Sequence, residues 1–312
     1  MPSTTASPGR FAADKLKTTL HAACARVGLD PTGAELIHIT VNALYRLRSA
    51  PVVVRIAGSR TLLPRVHRLI QVARWLEQQD FPAVRLTAGI NQPVIVDETD
   101  HVVTFWDYLP QDGQSMEPRD LAEPLRRLHT LPPPSFPLPT WDPIREARRR
   151  LAAAHHLDAQ HRAWLEHMAE EVERELPCVP YVLPRAVIHG DAYVGNLLRD
   201  RQGRPVLCDL DAVSIGPPEW DLVPTAVAYL RFGKERSFYQ DLADTYGFDV
   251  LAWEGFPSLR KARELNVLTG VLPALTSSPG IAAEFTHRME GLRAGREDTW
   301  TPFRYAWANA HT

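Results

Sequence analysis

Apolar residues recur at helical spacing from Phe11 to Val27, with Leu16, Leu20 and Ala23 on one face and Gly28 placed to end the run. From Glu35 to Ile56 the pattern becomes extended. Leu36-Ile37-His38-Ile39, Ala43-Leu44-Tyr45-Arg46-Leu47 and Val52-Val53-Val54-Arg55-Ile56 read as strands, with Arg48-Ser49-Ala50 as a turn. Val66, Leu69, Ile70, Ala73 and Leu76 then form the stripe of a helix over Pro64 to Gln79, followed by strands at Val94 to Val96 and Val102 to Trp106. After Leu109-Pro110 the pattern turns helical. Helices are predicted at Asp120 to Leu131, Ile144 to His156 and Ala159 to Leu176, with six prolines from Pro132 to Pro143 as a stiff connection. Four more are predicted at Trp220 to Phe232, Glu235 to Tyr246, Pro257 to Val271 and Ile281 to Arg293. Strands around one helix, then a run of helices, predict an α+β chain in two lobes. The expected division is a disordered tail at 1–10, a small antiparallel-sheet lobe at 11–106 and a larger, mostly helical lobe at 107–312.

The 312 residues are 45% hydrophobic and 23% charged, an ordinary globular composition. A formal net charge of −2 supplies no basic field for nucleic acid or an anionic membrane. The N-terminus lacks an apolar signal core and no apolar run reaches about 18 residues, so a cytoplasmic protein without a membrane partner is expected. Three cysteines, Cys24, Cys178 and Cys208, are odd in number and widely spaced, which suits reduced core thiols. His155, His156, His161 and His167 fall on polar helix faces without apparent carboxylate or cysteine partners, and solvated faces explain them better than a metal.

The chemistry concentrates in one stretch. Ala186-Val187-Ile188 delivers the chain as a buried strand into His189-Gly190-Asp191, and Gly190 and Gly195 bracket a tight polar loop. Asn196-Leu197-Leu198 and Val206-Leu207-Cys208-Asp209 then read as two short strands about the turn Asp200 to Arg204. Centred between Gln202 and Gly203, an antiparallel ladder would set Asn196 opposite Asp209 at roughly 5 Å between Cα atoms. A carboxylate and a carboxamide converging in this way suit Mg²⁺ whose shell is completed by phosphates and water. Asp191 is left free to meet an incoming hydroxyl. Singly, these residues read as a turn acid, a cap and a strand-end carboxylate; together they are what metal-assisted phosphoryl transfer requires.

His189-Gly190-Asp191 with Asn196, then Cys208-Asp209-Leu210-Asp211, then Trp220-Asp221-Leu222, is similar to the aminoglycoside phosphotransferase and choline kinase family, over residues 35 to 295. The resemblance implies a protein-kinase-like fold, ATP (with GTP as the variant donor) and Mg²⁺ as cofactors, and a small-molecule hydroxyl as acceptor. It further implies that Asp191 is the catalytic base, that Asn196 and Asp209 are magnesium ligands, and that Asp221 braces the loop containing His189. Asp211 would share a face with Asp209 if the strand continued, leaving three readings: a second metal, a basic acceptor group, or a surface carboxylate.

In the same resemblance Arg55 takes the strand position of the phosphate-binding lysine, where a guanidinium can bind phosphate bidentately; the plain alternative is an edge-strand arginine in solvent. The loop His38 to Asn42, which would cover the phosphates, has no glycine, so the side chains of Thr40 and Asn42 would have to help. The expected helix glutamate is also missing: the matching region reads His67-Arg68-Leu69-Ile70-Gln71, and Glu77 lies about two turns late. Either the register differs, or Arg55 is held by another acid or by phosphate alone. Thr104 to Leu109 would be the hinge, with Trp106 and Tyr108 either beside adenine or in the core. The favoured acceptor is an aminoglycoside-type or other hydroxylated antibiotic, the alternative a choline-like amino alcohol or a sugar. Asp211, Glu264, Glu284 and Glu290 are the acids available to a cationic acceptor; for the last three, solvated helix faces are the plain reading. The aromatic stretch from Tyr246 to Pro257 either closes over a substrate or packs. A nucleotide-binding protein without transfer is a further alternative, whereas a hydrolase is disfavoured by the absence of Gly-x-Ser-x-Gly.

Overall fold

A computed structural model describes residues 11–39, 41–111, 113 and 115–303. The tail at 1–10 and Thr40 therefore lie outside the described residues. In chain order the first elements are α1 (Ala13–Arg26), β1 (Glu35–Ile39), β2 (Asn42–Arg46), β3 (Val52–Ala57), α2 (Leu63–Gln78), β4 (Val94–Val96) and β5 (His101–Asp107). There follow α3 (Arg119–Thr130), α4 (Pro143–Ala153), α5 (Ala159–Glu175), β6 (Ala186–Ile188), β7 (Leu197–Arg199), β8 (Pro205–Leu207) and β9 (Ser214–Gly216). The last are α6 (Glu219–Arg231), α7 (Arg236–Tyr246), α8 (Phe256–Gly270) and α9 (Pro279–Arg293). The mixed α and β architecture expected from the pattern is present, with a small antiparallel sheet and a helical part. Among the described residues no helix is long and apolar enough to cross a membrane.

The chain divides into two compact units, Met1–Gln114 with Leu197–Asp211, and Ser115–Asn196 with Ala212–Thr312. In the first, an antiparallel sheet of order β1-β2-β3-β5-β4 carries alternating residues to its two faces. Val52, Val54, Ile56, Val103 and Phe105 meet the buried stripe Leu16, Leu20, Ala23 and Cys24 of α1. Strand parity sends Val53, Arg55 and Ala57 to the other face, where Ala57 and Val102 pack against Val66 and Ile70 of α2. Arg55 thus leaves a buried strand on the side that α2 covers. The β7–β8 hairpin joins this unit through the segment before β4: Leu207 N–H donates to Pro82 O and Val84 N–H to Leu207 O, both at 2.9 Å.

The hairpin corrects the expected register. Its pairs are Leu197↔Leu207, Leu198↔Val206 and Arg199↔Pro205, centred on Gln202 rather than between Gln202 and Gly203. The ladder stops at Leu207, and Asp209 takes the left-handed φ of 54°. Neither Asn196 nor Asp209 is a ladder residue, so the cross-strand opposition read from the sequence is not how the chain presents them. The strand does not continue to Asp211 either, which lies in a 3₁₀ turn at Leu210–Ala212.

In the second unit, α8 is buried along several faces through Phe256, Leu259, Ala262, Leu265 and Leu268, and α4, α5 and α6 pack around it. The antiparallel β6–β9 pair is extended by the proline-rich connection: Ile215 N–H donates to Pro139 O and Trp141 N–H to Ile215 O, both at 2.9 Å. Prolines tolerate this edge position because they have no N–H to lose. One expected core thiol is not in the core, and the histidines, though mostly on exposed faces, have partners. Cys178 is exposed, whereas Cys24 is a core thiol that burial, then the Asp30 charge, pushes up to about 11. The histidines are not partnerless: His161 pairs with Asp158, His167 lies 3.5 Å from Glu171, and His156 bonds Leu272 O at 2.8 Å. These are helix caps and surface pairs, and no metal-type cluster of His, Cys, Asp or Glu occurs among the described residues.

Candidate active site

Strand β6 ends at Ile188, and the next two residues are held by one carboxylate. Asp221, fully buried in the first turn of α6, accepts the His189 N–H at 2.7 Å and the Gly190 N–H at 2.8 Å. Its second support is His129 of α3, whose Nε2 lies 3.1 Å away, while His129 Nδ1 meets Tyr246 Oη at 2.8 Å. A carboxylate only accepts, so Nε2 carries the proton and Nδ1 receives the tyrosine hydroxyl's. Burial, followed by the Asp221 and Glu219 charges, drives the Tyr246 phenol well above its ordinary value, keeping it a donor. The aromatic stretch beginning at Tyr246 is packing: Trp253 is buried and donates from Nε1 to Pro180 O at 3.0 Å.

Gly190 sits at φ 84°, and a Cβ there would fall 2.4 Å from Ala212 O, so both the conformation and the space demand glycine. Trp220 Nε1 donates to Gly190 O at 2.9 Å, and Asp191 N–H points at His189 Nδ1 at 3.4 Å. Asn196, also buried, donates from Nδ2 to Asp191 O at 2.8 Å, which leaves its Oδ1 as the unused acceptor. The backbone of Asp191 is thus fixed on both sides while its side chain stays 38% exposed. There the carboxylate meets one cation: Arg263 of α8 donates from Nη1 to Asp191 Oδ1 at 2.8 Å. Sequence spacing missed Arg263 because nothing within its own stretch links it to a loop 72 residues earlier.

In the first unit, Arg55 is neither in solvent nor without an acid. It donates from Nη2 to Asp211, whose other oxygen accepts from Arg65 Nε at 3.1 Å. Asp211 is therefore not a surface carboxylate; its side chain is 8% exposed. Burial opposes its charge, but the Arg55 and Arg65 guanidiniums outweigh that and hold the carboxyl below the usual range. The acid missing from the middle of α2 is thus replaced from the chain after β8, while α2 supplies a second arginine. Two guanidiniums on one carboxylate leave a single net positive charge. Asn42 lines the same small cavity as Arg55, Arg65 and Asp211. Trp106 lies on the Arg55 side of the sheet, 7% exposed, with Nε1 donating to Thr104 Oγ1 at 2.9 Å. The Tyr108 ring lies 4.3 Å beneath the Arg46 guanidinium, and its N–H donates to Pro51 O.

Asp209 is exposed, on a backbone fixed by the end of β8. Burial, then the charge of Asp209, pushes the neighbouring Cys208 thiol up to about 12. Asn196 Oδ1 and the Asp209 carboxylate, taken each in its own unit, are oxygen donors of the kind a hard divalent cation accepts.

Of the acids considered for a cationic acceptor, Glu264 is buried, not solvated, and pairs with Arg231 at 2.8 Å and Arg260 at 2.9 Å. Glu284 is taken by Arg288 at 2.7 Å and by Thr301, and Glu290 is exposed.

A family model described as the phosphotransferase enzyme family matches residues 40–261. No curated protein sequence matches the chain. Among solved structures, an aminoglycoside phosphotransferase, APH(3'')-Id from Streptomyces rimosus, is 18% identical with a TM-score of 0.63, covering 80% of this chain and 98% of that one. Amicoumacin kinase hAmiN, solved in complex with AMP-PNP, Ca²⁺ and Ami, is 12% identical with a TM-score of 0.69, covering 96% and 98%. Choline kinase LicA from Streptococcus pneumoniae is 14% identical with a TM-score of 0.64, covering 90% and 100%. At these identities the likeness is one of fold, the kinase-like fold expected from the sequence.

Proposed function

The chain belongs to the phosphotransferase enzyme family, and from that membership we propose that it moves the γ-phosphoryl group of ATP to a hydroxyl of a small molecule, with Asp191 as the base. The observation that carries this reading is the contrast at Asp191: its backbone is fixed by Asn196 and by the Asp221-braced turn before it, while its carboxylate stays accessible. That is what a base needs when transfer depends mainly on positioning. The acceptor hydroxyl docks against Asp191 and gives up its proton as its oxygen bonds to phosphorus and the bond to the departing ADP breaks.

Asn196 and Asp209 are the residues proposed to hold a divalent cation, which when bound offsets charge on the phosphates. On the nucleotide side the reading assigns phosphate contact to Arg55, which Asp211 orders while using only part of its five-donor fork. Asn42 stands beside it, and Trp106 and Tyr108 bound the nucleotide further along the sheet. Of the two features that favoured a binding-only protein, the missing α2 acid and the loop without glycine, the first is answered by Asp211 pairing with Arg55. The acceptors named for similar structures, streptomycin and spectinomycin among them, make a hydroxylated antibiotic the first class to try.

The test is Mg-dependent transfer from ATP and GTP to a mass-resolved panel of antibiotics, amino alcohols and sugars. Asp191→Asn should lower turnover by about two to four orders of magnitude, as expected when a general base is lost, with nucleotide binding retained. Loss of nucleotide binding by a variant with unchanged melting would overturn the base assignment.

A further inference from the structure

We propose that the acceptor carries an anionic group, a carboxylate or phosphate, close to its reacting hydroxyl, and that Arg263 is the residue that binds it. The proposal rests on Asp191 being the base. Among the described residues Arg263 pairs with the Asp191 carboxylate, 2.8 Å from Nη1 to Oδ1, and the two are 19% and 38% exposed. A partly exposed pair of this kind is worth about 0–1 kcal/mol, so it does little for the fold and exchanges readily for a better partner. A carboxylate offers the guanidinium two parallel hydrogen bonds where Asp191 takes one.

The surroundings favour the same sign of charge. Residues 263, 266 and 270 lie on one face of α8, and α4 sends a second arginine to it: Arg150, whose Nε pairs with Glu146 at 3.4 Å, has Nη1 3.4 Å from Asn266 O and 3.7 Å from where a Cβ of Gly270 would be. Of the acids named for a cationic acceptor, Glu264 is held by Arg231 and Arg260, Glu284 by Arg288 and Thr301, and Asp211 by Arg55 and Arg65, while Glu290 is exposed. Asp221 is held by the loop itself, and Glu219 gives Oε1 to the Val182 and Leu183 N–H groups while its Oε2 is buried without a partner among the described residues. An ammonium beside the hydroxyl would meet the Arg263 guanidinium and compete with it for the Asp191 carboxylate, which selects against it.

Binding and chemistry are then linked. As the acceptor's anionic group takes over Arg263, Asp191 is released to face the hydroxyl. The hydroxyl oxygen forms the new bond to the γ-phosphorus, the bond from phosphorus to the ADP oxygen breaks, and the proton passes to Asp191 Oδ1 and on to solvent. A salt bridge that occupies the base without acceptor also restrains transfer to water.

The experiment uses the full chain with Mg-ATP and size-matched acceptors: hydroxy acids, neutral polyols and amino alcohols, with streptomycin and choline as cationic references. Transfer to hydroxy acids should exceed transfer to their neutral matches by at least about 10-fold in kcat/KM. Arg263→Gln should raise KM for them by one to two orders of magnitude with a much smaller change in kcat, Arg263→Lys should recover part of the loss, and both variants should melt like wild type. Preference for cationic acceptors, or an unchanged KM in Arg263→Gln, would overturn the anionic class and leave the kinase reading standing. Nucleotide binding without transfer to any hydroxy acid would overturn it too, whereas failure to bind nucleotide at all would remove the kinase reading itself.

Discussion

At the scale of single residues, the most consequential side chain after Asp191 is one that touches no substrate. Asp221 satisfies two backbone N–H groups and one imidazole in a site closed to water, so its removal leaves three donors unpaired. An unpaired buried donor costs on the order of 1–3 kcal/mol, and breaking a buried charged network about 3–5 kcal/mol. Asp221→Ala should therefore lower unfolding free energy by about 3–5 kcal/mol and slow turnover even where the protein remains folded, whereas Asp221→Asn, retaining one acceptor, should cost less. Urea melts of both variants read this directly, and equal costs would show that the one acceptor oxygen retained by Asn carries little. Asp191 and Asn196 were legible in the sequence because they share one short stretch, whereas Asp221, 30 residues beyond Asp191, came only through the family resemblance. Arg263, His129 and the Asp211 partners were not, since each reaches its contact from at least 72 residues away in the chain, and helical patterning around them reports burial rather than direction.

At the scale of elements, hydrophobic period located nearly every helix and strand, yet it could not fix how two strands end against each other. The β7–β8 hairpin shows why. Its three-residue strands hold too few apolar positions to specify register, so the turn decides, and a shift of half a step separates the expected ladder from the real one. Asp209 falls just past that ladder with φ 54°, a conformation that costs a non-glycine residue about 1 kcal/mol. Aspartate adopts this conformation more readily than most side chains, as Asp80 and Asp100 do at φ 51° and 57°, so the proposed cation role of Asp209 has to be tested apart from its backbone. Asp209→Gly should leave the melting transition unchanged or raised by up to about 1 kcal/mol, because the left-handed conformation is then free. The same variant should lose magnesium dependence of nucleotide binding, measured by titration with and without the metal. A destabilised variant that keeps its magnesium response would mean that the side chain serves the hairpin and not the cation.

At the scale of the whole molecule, the described chain finishes by folding back over its own last helices, and this closure is electrostatic as much as apolar. Arg288, fully buried on α9, lies 3.8 Å from the Phe303 ring centre, 4.5 Å from that of Trp300 and 5.5 Å from that of Phe232, and donates to Thr301 O. Its charge is balanced by Glu284, which also accepts the Thr301 N–H at 2.9 Å and the Thr301 hydroxyl at 2.6 Å. Burial works against the charged form of Glu284, but the Thr301 and Arg288 hydrogen bonds prevail and hold the carboxyl below the ordinary glutamate value of 4.5. A depressed folded-state carboxyl binds fewer protons than the unfolded chain does, so its contribution is complete above pH 4.5 and is lost as pH falls through the lower folded value. Several other carboxylates, Glu175 and Glu297 among them, are depressed in the same way, so acid destabilisation of wild type should be gradual. Glu284→Gln isolates one share: it should be less stable than wild type at pH 7, and the gap should narrow as pH falls below 4.5 and through the lower folded value, as wild type loses what the variant never had. Denaturant melts at three pH values measure the gap. A constant difference would place the effect of the substitution in packing around Arg288 rather than in the charge of Glu284.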